Sequence, residues 1–183
     1  MTTNQKLAGA AGVLAVLALL AGNRTQSSNI DLAALARAVE REEDHVTALE
    51  LAEMIRAQKP NLRVLDVRSA QAYEEYHVPR AQHVPLGRIT EFARQPGEIV
   101  VLYSEGGIHA AQAWFFLKAM GVPEVYFLRG GLNEWLVDVM TPRQPVDART
   151  RELSEYFGGS PSSADPADSS LQDKIRRVKG RTC

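Results

Sequence analysis

The chain has 183 residues, of which 45% are hydrophobic and 23% are charged, a composition typical of a globular protein. Its formal net charge of −1 provides no general attraction for nucleic acid, so we expect no nucleic-acid partner. The only cysteine is Cys183, which excludes an intramolecular disulfide, and no group of Cys and His has metal-ligand spacing, so the sequence indicates no metal and no other cofactor.

Residues 1–29 contain an uncharged apolar run at residues 7–22, followed by a polar linker. As a helix this run would be about 24 Å long, close to the bilayer's hydrocarbon thickness of roughly 30 Å, and Lys6 and Arg24 can extend towards the headgroups. We predict a single-pass membrane anchor in contact with lipid; a cleaved signal peptide is the alternative. Lys6 and the α-amino group favour a cytoplasmic N-terminus and an extracytoplasmic domain, which we expect, whereas Arg24, Arg37 and Arg41 favour the opposite orientation. The anchor residues include Leu7, Leu14, Leu17 and Leu20.

Residues 30–44 are typical of an amphipathic helix, with Leu32, Leu35, Ala36 and Val39 on one face. The sequence leaves open whether this helix is a stalk or packs on the domain that follows.

Residues 45–147 alternate between strand and helix patterns. Thr47 and Glu50 form a capping box that opens a helix. Short apolar runs at residues 63–67, 99–103 and 124–128 predict strands, residues 83–86 a brief extended segment, and residues 70–75, 111–120 and 132–139 helices. Such alternation predicts a parallel sheet covered by helices on both faces.

A turn of seven residues separates the strand at 99–103 from the helix at 111–120. Because a strand, a glycine-containing turn and a helix direct several N–H groups to one point, this turn is a candidate site for a small anion. Ligands of parallel sheets bind at this carboxyl edge. The alternative is a turn that serves the fold alone. The candidate residues are Ser104, Glu105, Gly106, Gly107, Ile108, His109 and Ala110.

Several other residues that attract attention have local explanations. His77 and His83 flank a proline turn and are expected to hydrogen-bond locally rather than bind metal. Asp66 and Arg68 end a strand, where they can pair with each other or cap neighbouring turns. The two tryptophans, Trp114 and Trp135, are expected in the core or an interface.

Residues 148–183 predict a polar tail with a basic end. Residues 158–170 are mainly small and polar and cannot bury enough apolar surface to order themselves. The basic end predicts contact with anionic lipid headgroups or an acidic partner surface; the alternative is a solvated tail. Its basic residues are Lys174, Arg176, Arg177, Lys179 and Arg181.

The motifs of the central region resemble a single rhodanese domain, the sulfurtransferase homology module. The resemblance covers roughly residues 46–146 and implies a five-stranded parallel sheet with helices on both faces. We therefore expect one rhodanese-like α/β domain preceded by an N-terminal transmembrane helix. The matching segments are residues 65–69, 73–81, 84–86, 101–107, 111–121 and 128–135.

The resemblance implies a cysteine at position 104 and usually an arginine at position 109 in active members, whose cysteine carries a persulfide. Here these positions hold Ser104 and His109. A hydroxyl cannot replace the thiolate of sulfur exchange. We therefore expect no catalytic residue, and a protein that acts by binding, as an accessory or stabilising subunit of a membrane protein complex. The alternatives are sulfur transfer through another thiol, such as Cys183, and a small-anion sensor at residues 104–110.

Overall fold

The computed structural model describes residues 31–162 and 170–179, with the backbone alone for residues 171 and 172. The predicted anchor residues Leu7, Leu14, Leu17 and Leu20 lie outside the described residues, as does Arg181 of the predicted basic end. Within the described ranges, no helix combines the length and apolar character that a bilayer crossing requires. The membrane anchor therefore stays a prediction from the sequence.

Five strands form one parallel sheet in the order β1-β5-β4-β2-β3, which confirms the expected α/β architecture. The central strands are apolar towards both faces because helices cover both, and Val64 pairs with Val101 in this register. The strand β1 was not predicted, since it has only two residues and is defined by its pairing with β5. The strands are β1 (His45–Val46), β2 (Leu62–Asp66), β3 (Ala81–His83), β4 (Ile99–Tyr103) and β5 (Val125–Leu128).

Helices pack on the two faces of this sheet. They are α1 (Leu32–Glu40), α2 (Ala48–Arg56), α3 (Ala70–Glu75), a 3-10 helix (Leu86–Glu91), α4 (Ile108–Ala119), α5 (Gly131–Glu134), a π-helical segment (Trp135–Met140), α6 (Ala148–Tyr156) and α7 (Leu171–Lys179). Val64 and Val101 face a first core, formed with α2, the π-helical segment, α6 and α7. Leu65 and Leu102 face a second core, formed with α4 and the 3-10 helix. This alternation follows from the pleat of the strands.

Local sequence signals determine where two of these helices begin. The predicted capping box is present at α2, where Thr47 Oγ1 accepts from the Glu50 N–H at 3.2 Å and Glu50 Oε2 accepts from the Thr47 N–H at 2.8 Å. The helix α4 begins at Ile108, three residues before the predicted start. Gly107, with φ of 93°, turns the chain from the loop into this helix.

The helix predicted within residues 30–44 is present as α1 and contacts the domain. Leu35 and Ala38 pack against the second core. Leu32 and Val39 lie on the outside, 61% and 52% exposed. Of the two possibilities left open by the sequence, the described structure shows the helix packed on the domain.

The part of residues 148–183 that the structure describes packs on the domain, unlike the solvated tail that the sequence left as an alternative. Leu153 of α6 and Ile175 and Val178 of α7 are buried in the first core, beside the π-helical segment. Lys174 is also buried and therefore does not belong to an exposed basic patch. The sequence did not predict this packing, because the apolar residues of α7 are few, three or four positions apart, and lie among many basic ones.

Candidate functional site

The predicted loop lies where β4 ends and α4 begins, at the carboxyl edge of the sheet. The strand ends at Tyr103, and the helix starts at Ile108. Four residues therefore make the turn, and the other three predicted loop residues form the first turn of α4. The placement agrees with the expected geometry of a ligand site in a parallel sheet.

Ser104 fills the centre of this turn with its own side chain. The residue is only 2% exposed, and its Oγ accepts hydrogen bonds from the N–H groups of Gly107, at 3.1 Å, and Ala110, at 3.3 Å. Two of the amides predicted to bind an anion are thus already paired with Ser104. An incoming anion has access only to the outer part of the turn.

Among the residues that the structure describes, no base is hydrogen-bonded to Ser104. Oγ makes its hydrogen bonds to the two amides, and within the part of the chain that the structure describes no histidine nitrogen or carboxylate bonds to it. His109 points outward from the first turn of α4 as an exposed residue. Because a serine nucleophile needs an adjacent base and an orienting group, the arrangement does not support hydrolase chemistry.

The other histidines make local contacts, as the sequence indicated for two of them. His77 Nδ1 lies 2.9 Å from the carbonyl of Tyr73, and His83 Nε2 lies 2.9 Å from the carbonyl of Arg68. Across residues 31–162 and 170–179 no group of three or more His, Cys, Asp or Glu is arranged to hold a metal. These residues position the chain beside β2 and β3.

The turn is attached to the start of α5 by backbone hydrogen bonds. The N–H of Leu132 donates to the Ser104 carbonyl at 2.8 Å, and the N–H of Asn133 donates to the Glu105 carbonyl at 3.0 Å. Gly131 lies close to this turn and has a φ of 60°. The loop conformation therefore depends on the turn after β5 as well as on its own residues.

A buried ion pair supports the sheet edge next to the loop. Arg68 Nη2 lies 2.6 Å from Asp66 Oδ2 and also donates to the Tyr76 carbonyl at 2.6 Å. Burial alone would lower the pKa of Arg68, but its hydrogen bonds to Asp66 and the charge of that carboxylate raise it. Burial, with the charge of Asp66, raises the pKa of the Tyr103 hydroxyl, which accepts from the Val78 N–H at 3.1 Å. The sequence interpretation of Asp66 and Arg68 as a structural pair is confirmed.

A shallow pocket of about 270 Å³ opens beside the turn. It is lined by Ser104, Glu105, Gly106, Ile108, His109 and Asn133. Five of the seven predicted loop residues thus face one space, whereas Gly107 and Ala110 are buried behind it. Asn133 was not named as a site residue from the sequence, where it lies two positions after a Gly-Gly pair and directly before Glu134.

The predicted basic patch divides into two parts. Arg176, Arg177 and Lys179 are exposed on α7, and Arg176 lies 3.6 Å from Asp173 in an ion pair. Lys174 instead points inward, with its Nζ 3.5 Å from Asn133 Oδ1. The structure thus brings one residue of the predicted basic end to the side chain that lines the pocket.

Comparison with known families agrees with this fold. Residues 47–138, half of the chain, match the family described as "Rhodanese-like domain". The chain belongs to the rhodanese-like domain family.

Rhodanese-like relatives include named sulfurtransferases. The chain is 29% identical over 92 residues to the thiosulfate sulfurtransferase GlpE of Coxiella burnetii, covering 49% of this chain and 84% of that protein. It is 32% identical over 76 residues to GlpE of Pseudomonas syringae, covering 39% of this chain and 70% of that protein. The human single-domain sulfurtransferase TSTD1 aligns with a TM-score of 0.45 and 20% identity, covering 50% of this chain and 94% of that one. The family match, residues 47–138, ends before α7.

Proposed function

We propose that this rhodanese-like chain has no sulfurtransferase activity and acts by binding, as an accessory subunit of a membrane protein complex. The absence of sulfurtransferase activity is proposed from Ser104. Its side chain ends in an oxygen atom, is buried and is hydrogen-bonded to two backbone amides. The relatives from Coxiella burnetii and Pseudomonas syringae are named thiosulfate sulfurtransferases. The proposal therefore separates this chain's chemistry from that of its relatives.

The side chain at position 104 lacks the sulfur atom that sulfur transfer requires. Sulfur exchange proceeds through a thiolate that attacks a sulfur atom and becomes a persulfide or disulfide. In the described part of the chain, no base bonds to the hydroxyl of Ser104 to remove its proton. An oxygen atom also cannot form the sulfur–sulfur bond. The chain's one thiol, Cys183, lies outside the described residues.

An exposed apolar surface on α4 supports the binding half of the proposal. Ile108 is 74% exposed, Phe115 43%, Phe116 45% and Met120 48%. Their neighbours on the inner side of the helix, Trp114 and Leu117, are buried in the second core. A helix that is apolar on both sides is suited to contact with a partner on the outer side.

Turnover of thiosulfate tests the catalytic half. We expect the native chain to transfer no sulfur to cyanide above a protein-free blank, and Cys183→Ser to behave identically. The double variant Ser104→Cys with His109→Arg should acquire a persulfide, seen as a mass increase of one sulfur atom, because it restores a thiol beside the loop amides. Native turnover that disappears in Cys183→Ser would contradict the proposal and identify a different thiol as the carrier.

Extraction of the native membrane tests the accessory-subunit half. The apolar run at residues 7–22 supports membrane attachment. After solubilisation in a mild detergent, we expect the chain to migrate in a large assembly with residues 7–22 intact, as judged by sizing and mass spectrometry. A free chain that has lost this segment would contradict the proposal.

A further inference from the structure

A larger pocket, of about 410 Å³, opens where the ends of α2 and α6 meet the turn before β3. It shares no residue with the pocket beside Ser104, and its volume is in the range of small-ligand sites, roughly 300–1,000 Å³. The family match ends at residue 138, so α6 and the residue after it supply a wall from outside the matched region. We call this space the Arg80 pocket; its lining residues are Ile55, Gln58, Pro79, Arg80, Tyr156 and Phe157.

Arg80 occupies a turn position that favours glycine. The N–H of Ala81 donates to the Val78 carbonyl at 3.0 Å, which closes a turn with Pro79 and Arg80 at its centre. The φ of Arg80 is 67°. A turn with proline at its first central position and a positive φ at its second favours glycine at the second, because a side chain there is strained. The turn therefore holds the arginine side chain at the pocket at a cost in backbone energy that glycine would avoid.

Gln58 is a second polar residue at a glycine-like position in the same pocket. Its φ is 50°, and the next residue, Lys59, donates its N–H to the Met54 carbonyl at 2.9 Å, which ends α2. Helices that end in this way usually have glycine at the position of Gln58. Two of the four non-glycine residues with positive φ in the described chain thus line this one pocket. Such clustering of backbone strain is typical of binding sites.

Aromatic rings form the apolar wall of the Arg80 pocket. The ring of Phe157 packs against the buried Trp135, with 5.1 Å between centroids, and the ring of Tyr156 lies edge-on to Phe157 at 4.8 Å. Tyr156 is nevertheless 56% exposed. The wall is thus anchored in the first core through Trp135 and still offers aromatic surface to an apolar ligand.

Arg80 brings an unpaired positive charge to this wall. Within the described residues, no hydrogen bond or ion pair engages its side chain, and no acidic residue lines the pocket. Arg56, at the end of α2, differs in this respect, because its Nη1 lies 3.5 Å from Glu152 Oε2. A free guanidinium beside exposed aromatic surface complements a carboxylate that is attached to an apolar group.

We infer that the Arg80 pocket binds the C-terminal end of a partner polypeptide whose last residue is apolar. Arg80 pairs with the terminal carboxylate, the rings of Tyr156 and Phe157 contact the last side chain, and Gln58 offers its amide to the peptide backbone. Because Gln58 and Arg80 are exposed, the pocket is open to solvent, and the rest of the partner's chain can continue outward. This inference rests on the proposed function, binding to another protein, and names the chemistry of that contact.

Calorimetric titration of the full chain with an acetylated pentapeptide, Gly-Ser-Gly-Ser-Phe with a free carboxylate, tests this inference. We expect saturable binding. The same peptide with a C-terminal amide should bind at least about tenfold more weakly, because it loses the charge-assisted hydrogen bonds to Arg80. A peptide that ends in serine instead of phenylalanine should also bind at least about tenfold more weakly, because it buries no ring against the aromatic wall.

The variant Arg80→Gly separates recognition from folding. It removes the guanidinium and relieves the strained turn, so the peptide affinity should fall at least about tenfold while the free energy of unfolding does not decrease. The matched control Arg94→Gly removes an exposed arginine from a loop outside the pocket and should leave the affinity unchanged.

Three results would overturn the inference. They are the absence of saturable binding of the free-carboxylate peptide, an equal loss of affinity in Arg94→Gly and Arg80→Gly, and binding of phenylacetate as tight as that of the peptide, which would identify a small carboxylic acid instead. None of these measurements involves sulfur transfer, so failure here would not contradict the proposed lack of sulfurtransferase activity. A chain that binds the peptide but migrates alone after membrane extraction would overturn the accessory-subunit proposal and not the pocket.

Discussion

Replacing Gly131 by alanine is expected to prevent the domain from folding stably. The residue has φ of 60°, and a Cβ atom there would overlap the Ser104 carbonyl oxygen and lie 2.7 Å from the Gly107 nitrogen and 2.8 Å from the Glu105 oxygen. These are backbone atoms of the loop, which cannot rotate away as a flexible side chain can. We expect a loss of more than about 4 kcal/mol in the free energy of unfolding, measured by denaturant titration.

The matched control for this substitution is Gly121→Ala. Gly121 also has a positive φ, 81°, but nothing lies within 4 Å of the Cβ position. Only the cost of the left-handed conformation then remains, about 1–2 kcal/mol. Equal losses in the two variants would show that the close approach of Gly131 to the loop does not determine stability.

Asp66→Ala is expected to have the second largest effect. The Asp66 carboxylate is fully buried, and its partner Arg68 has a side chain only 6% exposed. Removing the carboxylate leaves a guanidinium in the interior without its charge partner, although it still donates to the Tyr76 carbonyl. Because an uncompensated buried charge is strongly destabilising, the free energy of unfolding should fall by about 3–5 kcal/mol in thermal or denaturant measurements.

An exposed ion pair provides the comparison for Asp66→Ala. Arg88 Nε lies 2.9 Å from Glu91 Oε2, but the two side chains are 71% and 61% exposed. Since water screens such a pair, Glu91→Ala should cost less than about 1 kcal/mol. If Asp66→Ala were as mild, burial of the Asp66–Arg68 pair would not explain its role beside the loop.

The elements that the sequence predicts well are those determined by neighbouring residues. The bounds of β4 and α3 follow from a short apolar run and a serine cap, and the capping box of Thr47 and Glu50 lies within four residues. The placement of the loop at the carboxyl edge follows from the order of strand, glycine turn and helix. Each of these signals is local, so no knowledge of distant contacts is needed.

The features that the sequence did not reveal depend on contacts between distant segments. The strand β1 exists through pairing with Phe127 and Leu128. Lys174 is separated from Asn133 by 41 positions, and only the packing of α7 brings them together. The hydrogen bonds of Ser104 Oγ depend on the exact turn geometry, which residue types alone do not specify. Five of the six residues that line the pocket beside the turn were predicted, and Asn133 became visible only in three dimensions.

The order of the strands has a consequence for self-association. The two outer strands of the sheet are its shortest, with two residues in β1 and three in β3. An outer strand offers unpaired N–H and carbonyl groups to any neighbouring chain, and the length of that template limits how many intermolecular hydrogen bonds can form. The longer strands β2 and β4 occupy interior positions. The short outer strands thus leave a neighbouring chain few hydrogen-bonding groups with which to extend the sheet.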